Sequence, residues 1–291
     1  MIPTEQKYYF ETNALFYLDK VRDEVVPESF TSALTVLELI AGLRERPDRF
    51  AAVKSVLKRI NSRNLAIEWI LPQRLLFEMF DASKPHRLVD PRPETLKGLM
   101  SFILESNSIN EFLEKDRQTF GKHGYEYLSV IENKWSGTLM GSSATVQQMF
   151  KQTFSTKKLE TITLNGKTYN TSTKKEFEYV MKEEFPTTRL MTISAFTKDF
   201  LTGPMASVGL TKDQVVASYN GLVDYFIDAF ALYMLDVMLG ASPSKNDTVD
   251  FHHLTYLRNY DHRCIVSNDK IFDRYCRHKR VKVDELCMPK A

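Results

Sequence analysis

KYYFETNALFYLDKV (residues 7–21) holds a short aromatic run, an acidic residue at its end and then a helical stretch. The run KYYF (7–10) has the composition of a strand, because aromatic side chains fit a pleated, half-buried surface. Glu11, Thr12 and Asn13 follow it directly. A strand that ends on a carboxylate and turns into a helix is the local pattern of an open α/β sheet, whose functional residues gather at the carboxyl ends of its strands.

The neighbouring sequence extends that pattern. SFTS (29–32) reads as a second short strand, and Thr35 to Leu43 has the spacing of an amphipathic helix ended by Gly42 and by Arg46-Pro47. A further helix is expected from Pro47 to about Asn61, and a third strand from Leu65 to Ile70. Strand, helix, strand, helix, strand predicts an α/β fold with a mostly parallel central sheet flanked by helices. The alternation then stops. From about Ser83 to Leu210 the chain is mostly polar and helical in pattern. Within it, TITLNGKTY (161–169) predicts a hairpin turned at Asn165-Gly166. Thr173 to Glu184 predicts a helix capped by Ser172 or Thr171. The tighter pattern returns with a long helix expected over Thr211 to Leu239, striped by Val215, Tyr219, Leu222, Phe226, Phe230 and Tyr233. Asp247 or Asp250 opens another helix through Leu257. Arg263 to Val266 reads as a buried strand with Ser267, Asn268 and Asp269 at its end, and a last strand is expected at Val281 to Val283. The expected organisation is one discontinuous α/β domain, 1–82 plus 211–291, carrying a mainly helical insertion at 83–210.

Composition narrows the function classes. The net charge of +2 gives no overall field for a polyanion, so any nucleic-acid contact has to come from a local patch. Arg274, Arg277, His278, Lys279, Arg280 and Lys282 form the clearest such run, with Arg44, Arg46 and Arg49 as a second. The three cysteines, Cys264, Cys276 and Cys287, are odd in number and form no Cys-x-x-Cys pair. That argues against a disulfide framework or a zinc ribbon and fits a reducing compartment. The N-terminal MIPTEQKYYF has no basic region leading into an apolar run, so a secretory signal is not expected, and the most apolar stretch, Leu222 to Leu239, is interrupted by Asp224, Asp228 and Asp236. A cytoplasmic protein without a membrane partner is expected.

The chemistry lies in the acidic residues. Glu11 ends the first strand, Glu38 lies in the helix after the second, Asp269 follows the late strand, and Asp250 starts the helix before it. Magnesium and manganese are hard cations that prefer oxygen ligands, and they activate water for attack on a phosphodiester.

YYFETNALFYL (8–18), TSALTVLELIAGL (31–43) and NDTVDFHHLTYLRNYDHRCIVSNDKIF (246–272) together resemble the PIN-domain nucleases, a family that includes the ribonucleases of toxin–antitoxin pairs. They are similar to the family's strand ending in Asp-Thr-Asn, its helix with Thr-x-x-Glu-Leu, its helix opened by Asp, and its strand ending in Ser/Thr-x-Asp. The resemblance implies a metal-dependent endoribonuclease with Glu11, Glu38, Asp250 and Asp269 as catalytic ligands of Mg²⁺ or Mn²⁺. It further implies that Asn13 and Ser267 orient those carboxylates. Asp247 competes with Asp250 for the third place. Arg274, Arg277, Lys279 and Arg280 become candidates for tracking an RNA backbone, and an antitoxin or a second copy of the chain becomes a candidate partner. The family's usual residue at position 11 is Asp; this chain has Glu.

Each residue also has a plainer role available to it. Thr35 and Glu38 have capping-box spacing. Asp250 suits any helix start, and Asp269 suits a turn. His252 and His253, being adjacent on a helix, point apart, and each reads as a core or surface residue. Asp224 and Asp228 read as a solvated helix edge. Two other functions therefore stand beside the ribonuclease: an inactive PIN-like module that binds RNA or protein, and a structure-specific DNA nuclease.

Overall fold

The computed structural model describes residues 6–80, 90–134, 144, 147–148, 161–164, 166–202, 211–259 and 262–288. Its centre is an all-parallel sheet of five strands. In chain order the strands of this sheet are β1 (Lys7–Phe10), β2 (Ser29–Ser32), β3 (Ala66–Glu68), β6 (Arg263–Val266) and β7 (Arg280–Val281). They lie in the order β3-β2-β1-β6-β7. β1 is central: Tyr9 pairs with Phe30 on one side and with Ile265 on the other. Strands from both ends of the chain thus share one sheet.

Alternation along β1 sends consecutive aromatic residues to opposite faces. Phe10 joins a core with α2 (Ala33–Ala41), α3 (Phe50–Ser62) and the helix Arg92–Glu105, through Leu37, Ile40, Val53, Leu57, Leu96 and Leu99. Tyr9 joins a second core with the helices Asp224–Met238 and Asp247–His253, through Phe226, Ile227, Val249 and Phe251. Helices therefore cover both faces of the sheet, as an all-parallel sheet requires.

Several elements differ from their sequence expectation. The helix Arg92–Glu105 lies inside the segment 83–210 but packs in the main core beside α2 and α3, not as an appendage. Its apolar residues Leu96, Leu99, Met100 and Ile103 recur at helical spacing and are all buried. The long helix expected over Thr211 to Leu239 is two helices, Lys212–Ala217 and Asp224–Met238. Gly221 breaks it with φ +80°, a left-handed conformation that glycine adopts without steric cost. β4 (Thr161–Leu164) and β5 (Lys167–Asn170) pair antiparallel with Leu164 opposite Lys167, and Gly166 turns at φ +77°; Asn165 lies outside the described residues. The helix after this hairpin is capped by Thr173, in a reciprocal box with Glu176, not by Ser172 or Thr171. Asp224 and Asp228 do not form a solvated edge: Arg189 pairs with both, and Tyr219 and Asn259 also donate to Asp224. All three cysteines are free thiols. Among the described residues no helix is long and apolar enough to cross a membrane.

Candidate acidic site at the carboxyl edge of the sheet

Three parallel strands end beside one another, and the chain turns into a helix after each. Glu11 follows β1 and caps α1 (Thr12–Leu15): its Oε2 accepts from the Asn13 N–H at 2.7 Å and its Oε1 from the Ala14 N–H at 3.2 Å. Ser32 ends β2 and caps α2, accepting the Thr35 N–H at 3.3 Å. Asp269 follows β6 and caps the helix Lys270–Tyr275, accepting the Ile271 N–H at 3.0 Å, while its own N–H donates to Ser267 Oγ at 2.9 Å. The plainer roles of Glu11 and Asp269 as helix caps are therefore filled, and each cap keeps its carboxylate at the mouth of the strand.

Glu38 sits one turn into α2. The capping box open to it in sequence does not form, because Ser32, not Thr35, is the cap. Glu38 Oε2 instead accepts from the Thr12 hydroxyl and from His253 Nε2 at 2.8 Å. His253 is buried, at 1% exposure, and its Nδ1 lies 2.6 Å from the Tyr9 hydroxyl, itself 2.8 Å from Ser32 Oγ. A carboxylate only accepts, so Nε2 carries a proton whichever form the ring takes. A polar chain thus runs from Glu38 through His253 and Tyr9 to Ser32 at the carboxyl end of β2. Sequence reasoning assigned His253 a plain core or surface role. It is a core residue, but its link to Glu38 spans 215 positions, and no local pattern encodes that.

The charges converge electrostatically. Burial pushes Asp250 up from 3.8 to about 8; Glu38, Asp269 and Glu11 push the same way and His253 opposes them. Burial likewise pushes Glu11 up from 4.5 to about 7, with Glu38 adding to the rise and His253, the Asn13 N–H and the Ser267 hydroxyl opposing it. Burial on its own lowers the His253 imidazole, but the neighbouring charges of Glu38, Glu11 and Asp250 and the Glu38 hydrogen bond outweigh it and raise it overall. The four predicted carboxylates therefore share one electrostatic neighbourhood. Even so, among the described residues no three His, Cys, Asp or Glu side chains stand grouped as a ready set of metal ligands. The two findings concern different ranges: charge coupling reaches farther than a ligand bond.

The other predicted residues divide. Ser267 is fully buried and supports both Glu11 and the Asp269 turn. Asn13 serves Glu11 through its backbone N–H, while its side chain faces solvent. Asp247 accepts from the Ser244 N–H at 2.8 Å and from the Tyr233 and Ser244 hydroxyls, whereas Asp250 couples with Glu38, Asp269 and Glu11. In the basic run, the Arg280 side chain is only 6% exposed and is spent on Asp273 and the Ser267 carbonyl; its role is structural. Arg274 pairs with Asp236 at 2.7 Å and Lys279 lies over the Tyr225 ring, while Arg277, His278 and Lys282 are exposed.

These shifts predict the pH response of the metal-free chain. An acid whose folded pKa is raised binds more protons folded than unfolded, so its stabilisation is complete below the unfolded value and is lost as pH rises through the folded one. Asp250, Glu11 and the raised His253 all act in this direction. His252, pushed down by burial to about 4, opposes them below its ordinary 6.5. Between pH 6.5 and pH 8 the raised groups govern, so in chelator the melting temperature should be higher at pH 6.5 than at pH 8. A melt that is level or higher at pH 8 contradicts the burial of these charges.

The chain matches no protein-family model, no curated protein and no solved structure.

Proposed function

We propose that the chain is a metal-dependent endoribonuclease on a PIN-like α/β domain, with Glu11, Glu38, Asp250 and Asp269 as its acidic site. The observation that carries this reading is the electrostatic coupling of Glu11 and Asp269, which follow strands from the two ends of the chain at the carboxyl edge of one parallel sheet, with Glu38 and Asp250 from the adjoining helices, burial and neighbouring carboxylates raising both Glu11 and Asp250. Carboxylates so disfavoured as anions are an environment that a divalent cation relieves. The donor set is all oxygen, which suits Mg²⁺ or Mn²⁺. When bound, such an ion supplies Lewis-acid polarisation of the phosphodiester and a more acidic water. The chain's own part is orientation. The Asn13 and Ala14 N–H groups fix Glu11, Thr12 and His253 fix Glu38, and Ser267 holds the Asp269 turn. The choice of RNA follows from the family resemblance of the three motif segments.

One contact favours a second reading, an inactive module that binds RNA or protein. The buried His253 already supplies a partner to Glu38, so the cluster is partly neutralised from within. Incubation with single-stranded RNA, and in parallel with DNA, separates the two. The expected result is RNA cleavage with Mg²⁺ or Mn²⁺ that stops on addition of EDTA. Cleavage that persists in EDTA rules out the metal mechanism, and RNA binding without cleavage in either metal favours the inactive module.

A further inference from the structure

Beside Glu38 the surface opens into a cleft of about 90 Å³, lined by Thr12, Asn13, Phe16, Glu38, Gly42 and Arg49 among others. The cleft is small enough to be on the scale of a phosphate group. Its wall is polar and carries a cation. Arg49 is exposed, and its guanidinium lies 5.4 Å from the centre of the Phe16 ring. A planar guanidinium on an aromatic face is held in orientation while its N–H groups remain free to donate. Phe16 is anchored in turn, because its carbonyl accepts from Arg59 Nη1 at 3.0 Å.

The neighbouring arginines are committed elsewhere. Arg46 grips both oxygens of Asp48, at 3.1 and 3.0 Å, and Arg44 pairs with Glu126 at 3.0 Å. Arg49 makes no ion pair among the described residues. A cation held beside an acidic site, with no carboxylate of its own, is suited to an anion that approaches the site from outside.

Resting on the ribonuclease reading above, we infer that this cleft is the subsite for a backbone phosphate adjoining the one that is cut. Arg49 is its recognising group, Phe16 holds Arg49 in place, and the Asn13 amide is a further donor on the cleft wall. The site then pairs an anionic cluster that needs a metal with a metal-independent grip on the next phosphate, which sets the register of the strand.

The test uses the wild-type chain in EDTA, so that binding is read without cleavage. The probe is a short fluorescein-labelled single-stranded RNA, followed by anisotropy across a salt series. Arg49→Ala should bind about tenfold more weakly at low salt, as expected for loss of a charge-assisted contact. The slope of log affinity against log salt should shrink by about 0.7, the value for one phosphate contact on a single strand. Arg49→Lys should keep the slope, since it keeps the charge, and Lys182→Ala, which removes an exposed cation paired with Glu178 outside the cleft, should match the wild type. The inference is overturned if Arg49→Ala behaves like Lys182→Ala, or if the wild type does not bind the RNA. Its fate is separable from that of the nuclease reading. Loss of binding in Arg49→Ala from a chain that never cuts leaves the subsite standing and removes the nuclease; cutting that is unaffected by Arg49→Ala does the reverse.

Discussion

Asp250→Asn should reduce metal-dependent RNA cleavage by on the order of tenfold or more, while leaving the metal-free fold at least as stable as the wild type at neutral pH. The two halves of this expectation come from one fact. With its acid pushed up to about 8, Asp250 is mostly neutral at pH 7 in the absence of metal. Asn has the shape of that neutral form, so the folded chain loses little. A cation, in contrast, needs the carboxylate charge, which Asn cannot supply. The stability advantage should grow above pH 8, where the wild type must ionise a buried acid beside Glu38, Asp269 and Glu11 and the variant has nothing to ionise. Cleavage assays and thermal melts on the same two proteins decide the matter. Undiminished cleavage removes Asp250 from the site, and a melting temperature several degrees lower at pH 7 assigns it a structural role.

His253→Ala should act in the opposite way, mainly on the fold. The ring is buried between the Tyr9 hydroxyl and Glu38. Its removal leaves a void, and both neighbours lose a hydrogen-bond partner. Tyr9 keeps Ser32 and Thr35, and Glu38 keeps Thr12 with a side chain still 18% exposed, so neither is fully orphaned. A cost of about 3 kcal/mol follows, above that of an ordinary surface change and below that of breaking a sealed ion pair. For a chain of this size it corresponds to a melting point lower by roughly 5 °C or more. His253→Gln, which retains a donor and an acceptor, should recover part of the loss. A cost below about 1 kcal/mol for the alanine variant would mean that the relay from Glu38 to Tyr9 is not a structural element.

The legibility of the fold varied with how local its causes are. β1 and β6 were readable because each is a short apolar run that stops on a polar turn, and both were found at the expected residues, Lys7–Phe10 and Arg263–Val266. The parallel arrangement followed from the helices between the strands. The helix break at Gly221 carried a signal that the longer apolar stripe masked, since Asn-Gly is a turn dipeptide in its own right. Leu96, Leu99, Met100 and Ile103 also marked a core-facing helix, although the polar surroundings of that segment obscured it. The four carboxylates were proposed from motif order, and the spacing to Ser267 favoured Asp250 over Asp247; which side chains hold each of the two was not readable, Asp247 being bound by Ser244 and Asp250 lying near Glu38, Asp269 and Glu11. The Glu38–His253 contact and the Arg49 cleft were not readable, because each depends on which residues of distant segments share a surface.

The position of β1 at the centre of the sheet has a consequence for synthesis. Its partner on one side is translated soon after it, but Phe10 waits for Val266, about 250 residues later. At cellular elongation rates that interval is on the order of ten to fifty seconds. For most of it the emerging chain holds Glu11 and Glu38 but lacks Asp250 and His253, and Asp269 comes only after Val266. A ribosome carrying this nascent chain is therefore not exposed to all four carboxylates until Asp269 has been made, and a chain released before that point never acquires them.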